Sequence, residues 1–229
     1  MALILNLETA TKVCSVALGK DGSLLALKEY HGEYSHAEKL TVFVEEILKE
    51  AGLKLSDLDA IAISKGPGSY TGLRIGVSTA KGFCFALDKP LIAISTLQSM
   101  ANKPSLKENT GNVLLCPMID ARRMEVYCAF YNMHNNLARD IAAEIIDEHS
   151  FEDILQKYKV IFLGDGAEKC KAILSQHQNA IFADNVFPSA TDMITLSESA
   201  FHDKQFEDVA YFEPYYLKDF VTTTPKKKI

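Results

Sequence analysis

Ser64-Lys65-Gly66-Pro67-Gly68-Ser69-Tyr70-Thr71-Gly72-Leu73-Arg74 is the stretch on which the fold turns. The apolar run 60–63 enters it as a strand, and a helical run over 73–87 leaves it. Three glycines and a proline within the seven residues 66–72 punctuate a loop. A strand, a glycine loop and a helix start can hold a phosphate or carboxylate on free backbone N–H groups. The same order can also be a tight turn of an α/β fold. A P-loop is excluded, because Thr71 stands where its second glycine belongs and Lys65 precedes the loop.

Working outward, residues 3–7, 13–18 and 24–29 read as strands, with the Asp21-Gly22 turn joining the last two. Ser35 and Glu38 form a capping box at the start of a helix over 37–51, and Gly52 ends it. A fifth strand follows at 91–94, then a helical turn at 96–101. The polar stretch 102–112 is the linker, dividing the chain into 1–104 and 105–229.

Beyond the linker the order repeats. Strands are expected at 113–119, 124–131 and 137–146, and a capped helix from Ser150 to near Tyr158. A strand at 160–163 meets Gly164-Asp165-Gly166, followed by a helix over 167–175 and a strand at 180–183. Ser189 or Thr191 caps a last helix, 209–217 is extended and aromatic, and 222–229 is a lysine-bearing tail. Glu8 and Asp120 end corresponding strands, and Gly66-Pro67-Gly68 corresponds to Gly164-Asp165-Gly166. The expectation is two similar lobes, each βββαβα, with the second shortened and a cleft between them.

Composition narrows the function. Of 229 residues, 48% are hydrophobic and 24% charged, as in an ordinary globular protein. A net charge of −6 argues against nucleic-acid binding by bulk field. The five cysteines have no Cys-x-x-Cys spacing and read as buried thiols in a reducing compartment. No run approaches a membrane span, and the N-terminus reads as a strand rather than a signal peptide. The six histidines show no three- or four-residue spacing, which removes the usual helical metal pair and the metallopeptidase reading with it.

Ile4-Leu5-Asn6-Leu7-Glu8-Thr9-Ala10-Thr11, Ser35-His36-Ala37-Glu38, the stretch from Gly66 to Gly76, Asp120-Ala121-Arg122-Arg123 with Glu125-Val126-Tyr127, and Tyr211-Phe212-Glu213-Pro214 together resemble the bacterial TsaB (YeaZ) family. The resemblance implies the two-lobed α/β fold shared by actin, sugar kinases and heat-shock ATPases. It implies a cytoplasmic, non-catalytic subunit that supports the transferase TsaD in threonylcarbamoyladenosine formation on tRNA. The ATPase TsaE joins that complex, the chain forms a homodimer when alone, and tRNA is met at most indirectly. No cofactor is its own, although ATP or ADP could sit at the partner interface. A small ATP-dependent phosphotransferase of the same superfold is the alternative. Relatives of this fold often carry Asp where Glu8 stands, so a metal–phosphate role is weaker here.

Two features have competing readings. Gly72, Gly76 and Ala80 make a small-residue stripe that either packs on the protein's own sheet or meets a partner helix. The resemblance favours an interface of His36, Leu40, Val44, Tyr70, Gly72, Leu73, Gly76, Ala80 and Phe83. Nucleotide or anion contact is expected at Glu8, Thr9, Gly66, Gly68, Ser69, Thr71 and Arg74. In the second-lobe hairpin, Asp120, Arg122 and Glu125 are singled out. Glu8 and Asp120 are either paired acids or the residues that orient their own turns, with Arg122 beside Asp120.

Overall fold

The computed structural model describes residues 2–32, 36–106 and 111–218. Strands β1 (Leu3–Glu8), β2 (Val13–Lys20), β3 (Ser23–His31), β4 (Ala60–Gly66) and β5 (Leu91–Ser95) form one sheet in the order β3-β2-β1-β4-β5. Strands β6 (Val113–Asp120), β7 (Glu125–Asn132), β8 (Leu137–Ile145), β9 (Lys159–Leu163) and β10 (Ala180–Ala183) form the other, ordered β10-β9-β6-β7-β8. From the opposite edge the second order is the first repeated. In each, an antiparallel meander joins parallel strands through its first member. The repeat expected from the motifs is therefore present in the hydrogen-bonding itself, and the molecule has the two-lobed actin/sugar-kinase-like α/β fold.

The helices are α1 (His36–Ala51), α2 (Tyr70–Leu87), α3 (Thr96–Ala101), α4 (Glu152–Leu155), α5 (Asp165–Leu174) and α6 (Ile194–His202). Every residue of β1 is buried, because helices cover both faces of the sheet, as parallel strands require. On one face Leu5, Leu7, Ile61 and Ile63 pack with Leu40, Val44 and Ile47 of α1 and with Val77 and Ala80 of α2. On the other, Ile4, Ala62 and Ile92 pack with Met193 and Ala200. Helix α6, late in the chain, thus covers the first sheet. Helix α3, early in the chain, covers the second through Leu97 and Met100 against Leu115, Ile161 and Leu163. A buried polar seam pins α6 in register: Ser197 Oγ donates to Asn6 Oδ1 at 2.7 Å, and Ala190 N donates to Ser15 Oγ at 3.1 Å. All five cysteines are free and buried.

Local expectations met several corrections. Asp21 and Gly22 both have positive φ, as the hairpin turn demands. Helix α2 begins at Tyr70 rather than 73, because Ser69 Oγ caps it by accepting from Gly72 N at 3.3 Å. Helix α4 is a single turn, and Ser150 does not cap it. The Ser150 hydroxyl instead donates to Asp147 Oδ1 at 2.9 Å, while Phe151 at the cap position buries its ring 5.1 Å from Phe130. The start of the linker is pinned, since Asn102 Nδ2 donates to Asp192 O at 2.9 Å and Lys103 Nζ pairs with Asp192 at 2.9 Å.

Residues 209–217 form no strand ladder, and the nearest pairing is the bridge between Leu91 and Glu207. The segment is a strap held by scattered contacts. Lys81 Nζ donates to the carbonyls of Ala210 and Phe212 at 3.1 and 3.0 Å, and Tyr215 N donates to Lys65 O at 2.7 Å. The capping residue Ser35 and the tail 222–229 lie outside the described residues.

Candidate functional site

The end of β1, the end of β4 and the start of α2 converge where the sequence placed its anion loop. Glu8 is fully buried there. Its Oε1 accepts from Ala10 N at 2.6 Å and from Ser64 Oγ at 2.8 Å. Its Oε2 has no hydrogen-bond partner among the described residues. Burial dominates over these hydrogen bonds and raises the carboxyl pKa to about 7. A sealed, half-neutral acid that holds its own β1–β2 turn cannot meet a solvent anion, so Glu8 is withdrawn from the contact set.

The glycines of the loop are explained by the chain's own backbone. A Cβ at Gly66 would stand 2.9 Å from Tyr215 O of the strap, and φ there is +106°. A Cβ at Gly68 would run into the Ala10 carbonyl, and Ser69 N already donates to that oxygen at 2.7 Å. Thr9 is buried, and its hydroxyl donates to Gly72 O at 2.9 Å. Of the seven expected anion contacts, only Thr71 and Arg74 are exposed, and Arg74 Nη1 donates to Tyr70 Oη at 2.9 Å. The loop is a docked turn roofed by the strap, with its helix start already capped.

The small-residue stripe resolves the same way. A Cβ at Gly72 would collide with Thr9 O, and one at Gly76 with Thr9 Oγ1 and, at 2.9 Å, Ile63 Cδ1. Ala80 and Leu73 are buried, as are Leu40 and Val44 of α1. These residues form the contact between α2, the β1–β2 turn and the sheet, and a partner cannot reach them in this conformation. His36 is also buried; its Nε2–H donates to Thr11 O at 2.8 Å, and burial lowers its pKa, leaving a neutral ring. Tyr70 and Phe83 are half-buried, the former with its ring 4.9 Å from that of Tyr216.

The face of α2 opposite the stripe is the exposed one. Phe85 is 86% exposed, and Gly82 has nothing within 4 Å of where its Cβ would be. On α1, Val42 is exposed. The signal was in the sequence, because residues two apart on a helix cannot share a face. With Phe83 against the core, Phe85 has to point away from it.

In the second lobe, Asp120 Oδ1 accepts from Arg122 N at 2.8 Å and takes the Lys169 ammonium. It therefore orients its own turn, and its ionic partner is Lys169 rather than the Arg122 side chain. Glu125 pairs with Lys218, which ties the strap to the second lobe. Asp165 Oδ1 accepts from Asp120 N at 3.0 Å, and burial raises its pKa. Glu8 and Asp120 each serve a local turn, and the paired-acid reading falls.

Comparison with known proteins agrees with this architecture. The family model described as TsaD, tRNA N6-adenosine threonylcarbamoyltransferase, matches residues 31–226. The Escherichia coli K12 tRNA threonylcarbamoyladenosine biosynthesis protein TsaB is 33% identical over 95% of both chains. The Haemophilus influenzae protein of the same description is 31% identical over 96% of this chain and 94% of its own. The solved structure of YeaZ from Pseudomonas aeruginosa superimposes with a TM-score of 0.81 at 30% identity, covering 95% of this chain and 100% of that one. No helix among the described residues is long and apolar enough to cross a membrane.

Proposed function

Since the chain belongs to the bacterial TsaB (YeaZ) family of tRNA threonylcarbamoyladenosine biosynthesis proteins, we propose that its part in that pathway is a non-catalytic scaffold for a TsaD-type transferase. The observation that carries this reading is the closed loop. Where a phosphotransferase of this superfold needs an open anion site, Tyr215 O covers Gly66, Ala10 crowds Gly68, and Glu8 is sealed from water. Such a site offers no solvent-reachable carboxylate, and two of its N–H groups, Ser69 N and Gly72 N, are already taken by Ala10 O and Ser69 Oγ.

The partner surface, in this proposal, is the outer face of α2 with the neighbouring face of α1. The exposed side chains there include Phe85 and Val42. The same face forms the homodimer of the chain alone, and a TsaE-type ATPase joins the heteromer. A nucleotide shared with the partner would meet Thr71 and Arg74, the exposed groups of the loop. The cytoplasm, where tRNA is modified, is the compartment that fits, and the two lobes are built on 1–104 and 105–229 with α3 and α6 exchanged between them.

The experiment is reconstitution of threonylcarbamoyl transfer to tRNA by the partner enzymes, with and without this chain, and with Phe85→Asp. Full activity without the chain sinks the scaffold reading. Undiminished pull-down of the transferase by Phe85→Asp sinks the proposed surface. Calorimetry that detects tight ATP-Mg²⁺ binding and turnover by the chain alone would move the function to the phosphotransferase alternative.

A further inference from the structure

The tip of the β6–β7 hairpin is occupied by two consecutive arginines in left-handed conformation, Arg122 at φ 71° and Arg123 at φ 50°. Side chains with a Cβ rarely adopt that region, and glycine or asparagine are its ordinary occupants. Both arginines are exposed, and among the described residues neither guanidinium has an ionic partner. Asp120 takes Lys169 and Glu125 takes Lys218. Ile146 N, bonded to Met124 O, brings Asp147 to the same end of the sheet, where its carboxylate accepts from His149 N and Ser150 Oγ. Two exposed guanidinium groups are thus held side by side at one hairpin tip, at a conformational cost.

We propose that Arg122 and Arg123 contact the phosphate backbone of RNA. The inference rests on the pathway reading above, which supplies tRNA as the polyanion. It departs from the expectation that this chain meets tRNA at most indirectly. Guanidinium forks match phosphate oxygens, and a two-residue tip projecting from a rigid hairpin can follow a backbone without reading bases.

The test variant is Arg122→Asn with Arg123→Gly. Its residues suit the left-handed tip, so it should melt at or above the wild-type temperature, and misfolding cannot account for lost binding. Fluorescence anisotropy of a labelled unmodified tRNA transcript is followed against salt, with the full chain alone and with its transferase partner. Loss of two phosphate contacts lowers the log–log salt slope by about 1.4–1.8, which is roughly a 25- to 60-fold loss of affinity at 0.1 M salt. An unchanged slope in the tip variant, or no tRNA binding by the wild type in either preparation, overturns the proposal. So does a variant that loses the transferase in a pull-down while keeping its tRNA slope, since the tip would then be a protein contact. None of these readings depends on transfer activity, so failure of the scaffold assignment would be seen separately.

Discussion

Adding one methyl group at Gly76 should destabilise the chain, although the same change six residues later should stabilise it. Both glycines lie inside α2, where alanine is favoured over glycine by about 1 kcal/mol. At Gly82 nothing stands within 4 Å of the new Cβ, so Gly82→Ala should realise that gain. At Gly76, which is buried, the methyl meets Thr9 Oγ1 of the β1–β2 turn and stands 2.9 Å from Ile63 Cδ1 of the sheet. Overpacking of this kind costs about 1–3 kcal/mol. Moving Thr9 also strains its hydroxyl bond to Gly72 O, worth about 1 kcal/mol. The net for Gly76→Ala is a loss of about 1–3 kcal/mol, so the two variants should differ by about 2–4 kcal/mol. For a chain of this length that is a separation on the order of 4–16 °C in Tm. Urea unfolding followed by circular dichroism measures it directly. A Gly76→Ala protein as stable as Gly82→Ala would refute the packing account and return the stripe to the surface.

Other outcomes follow from the same contacts. Glu8 has a folded pKa of about 7 against an ordinary carboxyl value of 4.5, so its contribution to stability is fully present below pH 4.5 and lost as pH rises through 7. That change amounts to about 3 kcal/mol, and Glu8→Gln should flatten this part of the curve; equal slopes for the two proteins in urea titrations between pH 5 and 8 would contradict it. Ser197→Ala leaves buried Asn6 Oδ1 without its donor and should cost about 1–3 kcal/mol by the same assay. A wild-type midpoint in that variant would show that the seam does not hold α6. Phe85→Asp should leave the unfolding midpoint unchanged while abolishing transferase binding, because its side chain is outside the core.

Much of the architecture was written along the chain. Alternating apolar runs, the Asp21-Gly22 turn and the helical spacing of Leu40, Val44 and Ile47 are local signals, each read within one or two turns of backbone. The repeat of an acid-ended strand, a hairpin and a glycine turn revealed two lobes, and the TsaB-like stretches pointed to the family. Sequence could not decide which surface each motif faces. The Gly72–Gly76–Ala80 stripe is equally suited to either neighbour until Thr9, more than sixty residues away, is seen lying on it. The glycine loop looked open until Tyr215, from the far end of the chain, was found over Gly66. Phe85 was legible by periodicity alone, but only once Phe83 was known to face the core.

Sequence by itself determined most of the strands and helices, their duplication and the family, because these depend on patterns between near neighbours. Tertiary structure alone decided that α3 and α6 each cover the other half's sheet, and that the opening stretch is a sealed turn. It also left Arg122 and Arg123 without an ionic partner among the described residues, at a hairpin tip. The physical reason is common to all three: closure, burial and charge matching are set by atoms distant in the chain, and no local pattern records which distant atoms arrive.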